Sequence, residues 1–156
     1  MNQNKQLSLR LELIWWVVTF IIIIGAIFPI YQVLDEYPFL VANIIFIVVF
    51  ITLARYIFLL KHTFIAKKQR LKIVLLFLCI PLAFYLIDQI NHFRAFLDED
   101  QFEVYVKNLS LSQRSTITKY ITAEYLFFSV GALISTIIFP FRMLKSVWRV
   151  RNRGTV

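Results

Sequence analysis

The sequence predicts an all-α membrane protein: a bundle of four transmembrane helices with both termini inside, one outward loop of about 25 residues and a basic cytoplasmic tail. Hydrophobic residues make up 60% of the 156 residues, against roughly 45–50% in soluble domains. They are gathered into four blocks, which favours membrane spans over one large soluble core. The basic segment 61–72, which contains no acidic residue, separates the second block from the third. We therefore expect a single membrane domain over residues 1–156.

The first span is expected over residues 13–34, a run of 22 residues without a charge. A helix needs about 20 such residues to cross the hydrocarbon core of a bilayer. Trp15 and Trp16 at its start and Tyr31 near its end suit the two membrane interfaces. The run is long for a signal peptide, and no small-residue cleavage site follows it, so we expect this span to be retained.

The second span is expected over residues 38–60, with Pro38 in the first turn of the helix. Arg55 lies inside this span, six residues before Lys61, which corresponds to about 9 Å of helix. A guanidinium reaches the membrane surface over that distance, so we expect Arg55 to snorkel toward the inner headgroups.

The third span is expected over residues 72–92. Only fifteen uncharged residues separate Lys72 from Asp88, so the helix must carry Asp88 close to its outer end. Residues 93–119 follow as the outer loop, which is acidic in its first half.

Residues 102–109 of this loop fit two patterns. One face of a helix would carry Phe102, Tyr105, Val106 and Leu109. A strand would instead alternate Phe102, Val104 and Val106. The segment is too short for periodicity to decide between them.

The fourth helix is expected to begin outside the membrane. Ser110 with Gln113 fits a capping box, which predicts a helix from Leu111. Residues 120–141 form its membrane span, and residues 142–156 form the basic tail.

The charge distribution predicts the orientation. With both termini inside, the inner face carries 13 Lys or Arg and 1 acidic residue, whereas the outer face carries 4 Lys or Arg and 8 acidic residues. An excess of Lys and Arg marks the cytoplasmic side of a membrane protein. We therefore expect a multi-pass plasma membrane protein with both termini in the cytoplasm. Its richness in Ile, Phe and Lys favours a bacterial inner membrane.

Basic residues of the inner loop and the tail are candidates for binding anionic lipid headgroups. They are Lys67, Lys68, Arg70, Arg142, Lys145, Arg149, Arg151 and Arg153. The tail also places Leu144, Val147 and Trp148 on one helical face, a pattern typical of an amphipathic helix on a lipid surface.

Three polar residues, one from each of the last three spans, are predicted at a similar depth below the outer surface: Asn43, Asp88 and Glu124. Gln32 adds a fourth, nearer the end of the first span, and His92 shares a face of the third helix with Asp88 and Tyr85, which makes a polar cluster of Asn43, Asp88, His92 and Glu124. One interpretation is an outward-open pocket that binds a cation or relays protons, since ionisable groups inside a membrane usually serve a function. A second is that they lie among headgroups and pair with Arg94 or Lys119. A third is that they contact the helix of a partner subunit.

A stripe at helical spacing on the fourth helix carries Glu124, Phe128, Gly131 and Ser135. Gly131 and Ser135 are small residues four apart, a spacing that lets two membrane helices approach closely. We therefore expect this stripe at a helix interface. Prolines predict kinks at three positions, namely Pro29, Pro81 and Pro140.

The leading hypothesis for function is a non-catalytic membrane subunit that assembles with or stabilises a larger membrane protein complex. The soluble segments are too small for a catalytic domain, and no catalytic motif stands out, so no enzyme, cofactor or metal site is predicted. The lone Cys79 excludes chemistry that needs a cysteine pair.

Expected partners are other integral membrane subunits, in a hetero-complex in preference to a homo-oligomer, and anionic lipids. Nucleic acid is not expected, because a chain with four apolar blocks offers no free basic face of sufficient size. The alternative function is a small homo-oligomeric transporter or channel that uses Asp88, His92 and Glu124 of the outer cluster.

Overall fold

The computed structural model describes residues 3–60, 63, 65, 68–99 and 101–152. These residues form five helices and no strand. The helices are α1 (Gln3–Tyr31), α2 (Leu40–Leu59), α3 (Gln69–Asp98), α4 (Glu103–Val106) and α5 (Leu111–Arg151). In the described part of the chain, every helix except α4 is long and apolar enough to cross a membrane. The prediction of an all-helical fold with four membrane helices is confirmed, consistent with a multi-pass membrane protein.

Helix α5 is the element against which the other three long helices pack. Its main neighbours are α2 and α3, whereas α1 packs chiefly on α2. Small buried side chains in the middle turns of α5 allow this close packing. They are Ser129, Ala132, Ser135 and Thr136. The buried hydroxyl of Thr136 is satisfied within the helix, because it donates to the Ala132 carbonyl at 2.8 Å.

Helices α2 and α5 are in close contact at Gly131. A Cβ atom placed on Gly131 would lie 2.9 Å from two ring carbons of Phe50 on α2. Phe50 also packs edge-on against Phe128, with ring centroids 6.2 Å apart. The stripe predicted from helical spacing therefore faces α2, and the missing side chain of Gly131 leaves room for the Phe50 ring.

An aromatic cluster joins α2, α3 and α5 near α4. Tyr125 stacks on Phe93 of α3, with centroids 3.9 Å apart. Phe39 and Phe46 meet Tyr125 edge-on at 5.9 and 5.1 Å. Such aromatic pairs contribute about 0.5–1.5 kcal/mol each beyond the burial of their area. We call this side of the molecule the α4 end.

The predicted loop over residues 93–119 is largely helical. Helix α3 continues to Asp98, six residues beyond the predicted span. Phe102 and Val106 are buried against the α4 end of the core, and Phe102 meets Phe96 edge-on at 6.2 Å. Of the two patterns considered for residues 102–109, the helical one is correct, because a helix buries Phe102 and Val106 together against α3.

The predicted start of the last helix is confirmed. Ser110 is the N-cap of α5 and forms the capping box with Gln113: its side chain accepts from the Gln113 amide, and the Gln113 side chain accepts from the Ser110 amide. The helix then runs without a break to Arg151, so most of the predicted tail is helical.

Three long helices meet at the opposite side of the molecule, which we call the basic end. The buried Lys72 of α3 donates to the Ser146 hydroxyl of α5 at 2.9 Å and to the Gln69 side chain at 3.4 Å. Arg142 Nε donates to the Ile57 carbonyl at 2.9 Å. That carbonyl lies in the last turn of α2, where helices leave acceptors without intrahelical partners.

Arg55 is buried. Its Nη2 atom lies 2.5 Å from Glu12 Oε2 on α1. Its guanidinium also lies over the rings of Trp15 and Tyr56, at 5.9 and 5.3 Å from their centroids. The prediction from α2 alone did not include this countercharge from α1, and snorkelling toward the inner headgroups stays a prediction.

The three prolines predicted to kink their helices are Pro29, Pro81 and Pro140. Each lies inside a helix that continues beyond it. The kinks themselves stay predictions.

The Gly131 contact predicts a difference between two otherwise similar substitutions. Gly131→Ala should lower the free energy of unfolding by about 1–3 kcal/mol, because the new methyl group would overlap the Phe50 ring. Gly25→Ala is the matched control, because a Cβ at Gly25 meets nothing within 4 Å. It should leave the free energy unchanged or raise it by up to about 1 kcal/mol. Reversible unfolding in mixed micelles measures both, and equal effects would contradict the proposed crowding.

Candidate functional site

The structure joins two of the four predicted polar residues in the interior of the bundle. Asn43 Nδ2 donates to Glu124 Oε2 at 2.6 Å. Asn43 lies in the first turns of α2 and is fully buried, and Glu124 projects from α5 toward it. A hydrogen bond to a carboxylate at this distance is of the strong, charge-assisted kind. We call this pair, together with Tyr37, the internal polar site.

Three oxygen atoms of the internal polar site are buried without a hydrogen-bond partner among the described residues. They are Tyr37 Oη, Asn43 Oδ1 and Glu124 Oε1. Native proteins pair the large majority of their buried polar atoms. Three such atoms on three neighbouring residues therefore mark this place as chemically unusual.

Tyr37 joins the site from the short connection between α1 and α2. Burial, and secondarily the nearby Glu124 carboxylate, raise the pKa of the Tyr37 hydroxyl far above its ordinary value. The phenol is therefore protonated at physiological pH and retains one O–H donor. Sequence reasoning missed Tyr37 because it lies outside the predicted spans. Its position directly before Pro38, shortly before the start of α2, is the signal from which its proximity to Asn43 could have been predicted.

Two tyrosines on α5 fix the surroundings of Glu124. The Tyr120 hydroxyl, one turn earlier, donates to the Ala26 carbonyl of α1 at 2.9 Å. The Tyr125 hydroxyl donates to the Gln89 carbonyl of α3 at 3.2 Å. Helix α5 is thereby held on both sides of Glu124, which fixes the direction in which the carboxylate points.

Asp88 and His92 do not join the internal polar site. Gln89, next to Asp88 on α3, contacts Tyr125, next to Glu124 on α5; their equal depth in the membrane stays a prediction. Both predicted residues of α3 are nevertheless exposed, on a face turned away from α5. Asp88 Oδ2 accepts from the Gln89 side chain at 3.3 Å. The His92 ring meets Phe39 edge-on at 5.4 Å.

The residues predicted to bind lipid headgroups lie mainly at the basic end. The exposed ones among the described residues are Lys68, Arg70, Lys145, Arg149 and Arg151. Arg142 differs from them because its Nε donates to the backbone of α2. Lys67 and Arg153 lie outside the described residues. Leu144 and Trp148 on the same part of α5 are 55% and 68% exposed, which fits an apolar strip beside the charges.

No group of three or more His, Cys, Asp or Glu side chains is arranged to hold a metal ion in the described ranges. Comparison with known proteins finds no matching family model, no matching curated protein and no matching solved structure. Conclusions about function therefore depend on the geometry of this chain.

The Asn43–Glu124 hydrogen bond predicts that removing the Asn43 side chain costs more stability than removing the charge of Asp88. Asn43→Ala should lower the free energy of unfolding by about 1–3 kcal/mol, because it leaves the Glu124 carboxylate without its donor. Asp88→Asn, on the exposed face, should change it by less than about 0.5 kcal/mol. Unfolding in mixed micelles compares the two. A double-mutant cycle with Glu124→Ala should show that the Asn43 and Glu124 effects are coupled, and additive effects would contradict the bond.

Proposed function

We propose that this chain is a non-catalytic integral membrane subunit that assembles with a larger membrane protein complex. The contact surface is the exposed face of α3 that carries Tyr85, Asp88 and His92, which we call the α3 polar face. The observation that supports the proposal is an exposed carboxylate, Asp88, on a helix apolar enough to cross a membrane.

The two sides of α3 differ in what they contact. Residues spaced by seven, Cys79, Leu86 and Phe93, are buried against the rest of the bundle. On other sides of the helix Phe77 and Phe84 are 63% and 71% exposed. Lipid covers phenylalanine without cost, but it does not solvate a carboxylate or an imidazole. A neighbouring protein helix with hydrogen-bond donors does, and polar side chains join membrane helices in this way.

A hetero-complex fits the α3 polar face better than a dimer of this chain. Two copies in one membrane share the same orientation, so a two-fold axis along the membrane normal would set Asp88 at the same depth in both. Their carboxylates would then face each other across the interface, and like charges in a low-dielectric medium repel strongly. A partner that presents Lys, Arg, Asn or Ser at that depth removes the repulsion and satisfies the carboxylate.

The orientation that goes with this proposal has both termini in the cytoplasm of a bacterial inner membrane. Support comes from the charge asymmetry between the two faces of the predicted topology. It also comes from the convergence of Lys72, Arg142 and Ser146 at the basic end, which gathers the basic segments on one side. Anionic lipids are the expected surface ligands of that side.

The partner surface is tested by purification in a gentle detergent. The chain should co-purify with a stoichiometric membrane protein, and the double variant Asp88→Leu, His92→Leu should lose it while keeping its own unfolding temperature. Glu124→Gln is the control inside the bundle, and Asp98→Ala is the control at the end of α3. Both should keep the partner. A clean homo-oligomer from the native chain, or a partner retained by the double variant, would contradict the proposal.

The orientation is tested with reporters fused to either terminus and inserted near residue 100. A reporter active only in the cytoplasm should work at both termini, and alkaline phosphatase, which folds only outside, should work at residue 100. Phosphatase activity at either terminus would contradict the proposed topology. Removal of the positive charges at Lys145, Arg149 and Arg151 should increase the fraction of inverted molecules, since Lys and Arg bias the orientation.

A further inference from the structure

We propose that the internal polar site, formed by Tyr37, Asn43 and Glu124, binds one small monovalent cation, for which sodium serves as the probe. This site is separate from the α3 polar face and does not depend on a partner protein.

The three buried oxygens cannot satisfy one another. Asn43 Oδ1 and an ionised Glu124 Oε1 are both acceptors, so no hydrogen bond forms between them. Tyr37 supplies one O–H, which can serve only one of these two acceptors. While Glu124 is ionised, at least one buried acceptor therefore needs a hydrogen-bond donor or a cation from outside the described residues.

The donor types point to a hard cation. A carboxylate, an amide carbonyl and a phenol oxygen are all oxygen ligands. Carboxylate and carbonyl ligands suit hard metal ions, whereas soft metals select Cys and Met. A single ion of this class could be coordinated by all three oxygen atoms.

The charge of the site favours a single positive charge. Glu124 is its one carboxylate, and no described Lys, Arg or His side chain forms an ion pair with it. A buried carboxylate without a countercharge is strongly unfavourable, so either a cation or a proton balances it. A water molecule would donate hydrogen bonds but would leave the charge unbalanced. A divalent ion would replace one net negative charge with one net positive charge, whereas a monovalent ion leaves the site neutral.

The position of Tyr37 gives an ion a short way in. Tyr37 belongs to the connection between α1 and α2, so the site lies close to the end of the bundle. Asp35 and Glu36, directly before Tyr37, are exposed at the same place. Acidic residues at the mouth of a low-dielectric site raise the local concentration of cations.

The experiment measures thermal unfolding of the purified chain in detergent at constant ionic strength, with sodium chloride replacing N-methylglucamine chloride. Wild type should show an unfolding temperature that rises with the logarithm of the sodium concentration once that concentration exceeds the Kd, because an ion that binds only the folded state stabilises it by mass action. Glu124→Gln keeps the size of the side chain and removes its charge, and it should abolish the sodium-dependent rise. Asp88→Asn removes an equivalent charge from the exposed face and should keep the full rise.

A second variant guards against a trivial loss of folding in Glu124→Gln. Tyr37→Phe removes one oxygen ligand and keeps the charge of the site, so it should weaken sodium binding about tenfold and shift the rise in unfolding temperature to about tenfold higher sodium concentrations. The proposal is overturned if wild type unfolds at the same temperature in both salts, or if Glu124→Gln responds to sodium like wild type. It is also overturned if the unfolding temperature of wild type depends on pH and not on sodium, because a proton would then balance Glu124.

Discussion

The close approach of α2 and α5 at Gly131 is the constraint on which the rest of the bundle depends. Glu124 lies seven residues before Gly131, and therefore on the same face of α5, about 10 Å along the axis. Only helices held this close let the carboxylate reach Asn43 at 2.6 Å. The same separation brings Phe46 against Tyr125. One missing side chain thus sets the distance over which both the polar pair and the aromatic contact form.

Features that depend on local signals could be predicted from the sequence, and the rotation of a helix about its axis could not. The lengths of the apolar runs predicted the four membrane helices, and the spacing of Ser110 and Gln113 predicted the start of α5. Counting residues also predicted the depth of Asp88. Its direction was not predictable, because α3 is apolar on several sides and nothing in periodicity separates the buried Leu86 from the exposed Ile87.

Contacts between helices that are distant in sequence formed the other limit. Arg55 was expected to snorkel because it lies six residues before Lys61, and its ion pair with Glu12 depends on how α1 packs beside α2, which the sequence of α2 does not show. Tyr37 shows the same limit, since a connecting residue becomes part of a site through the side chains that close over it. The two carboxylates thus differ in their environment: Glu124 accepts a hydrogen bond from the buried Asn43 side chain, whereas Asp88 is exposed on the surface of the bundle.

Helix α5 has 41 residues, which corresponds to about 60 Å, roughly twice the thickness of a hydrocarbon core. A helix of this length is longer than a hydrocarbon core is thick. Because a rod transmits tilt, a sideways force on its basic terminus swings the opposite terminus and everything leaning on it. Pro140, which lacks an amide hydrogen, is the point where such a rod bends most easily. A continuous helix of this length would therefore couple movements at its two ends, and Pro140 would be the point at which it bends.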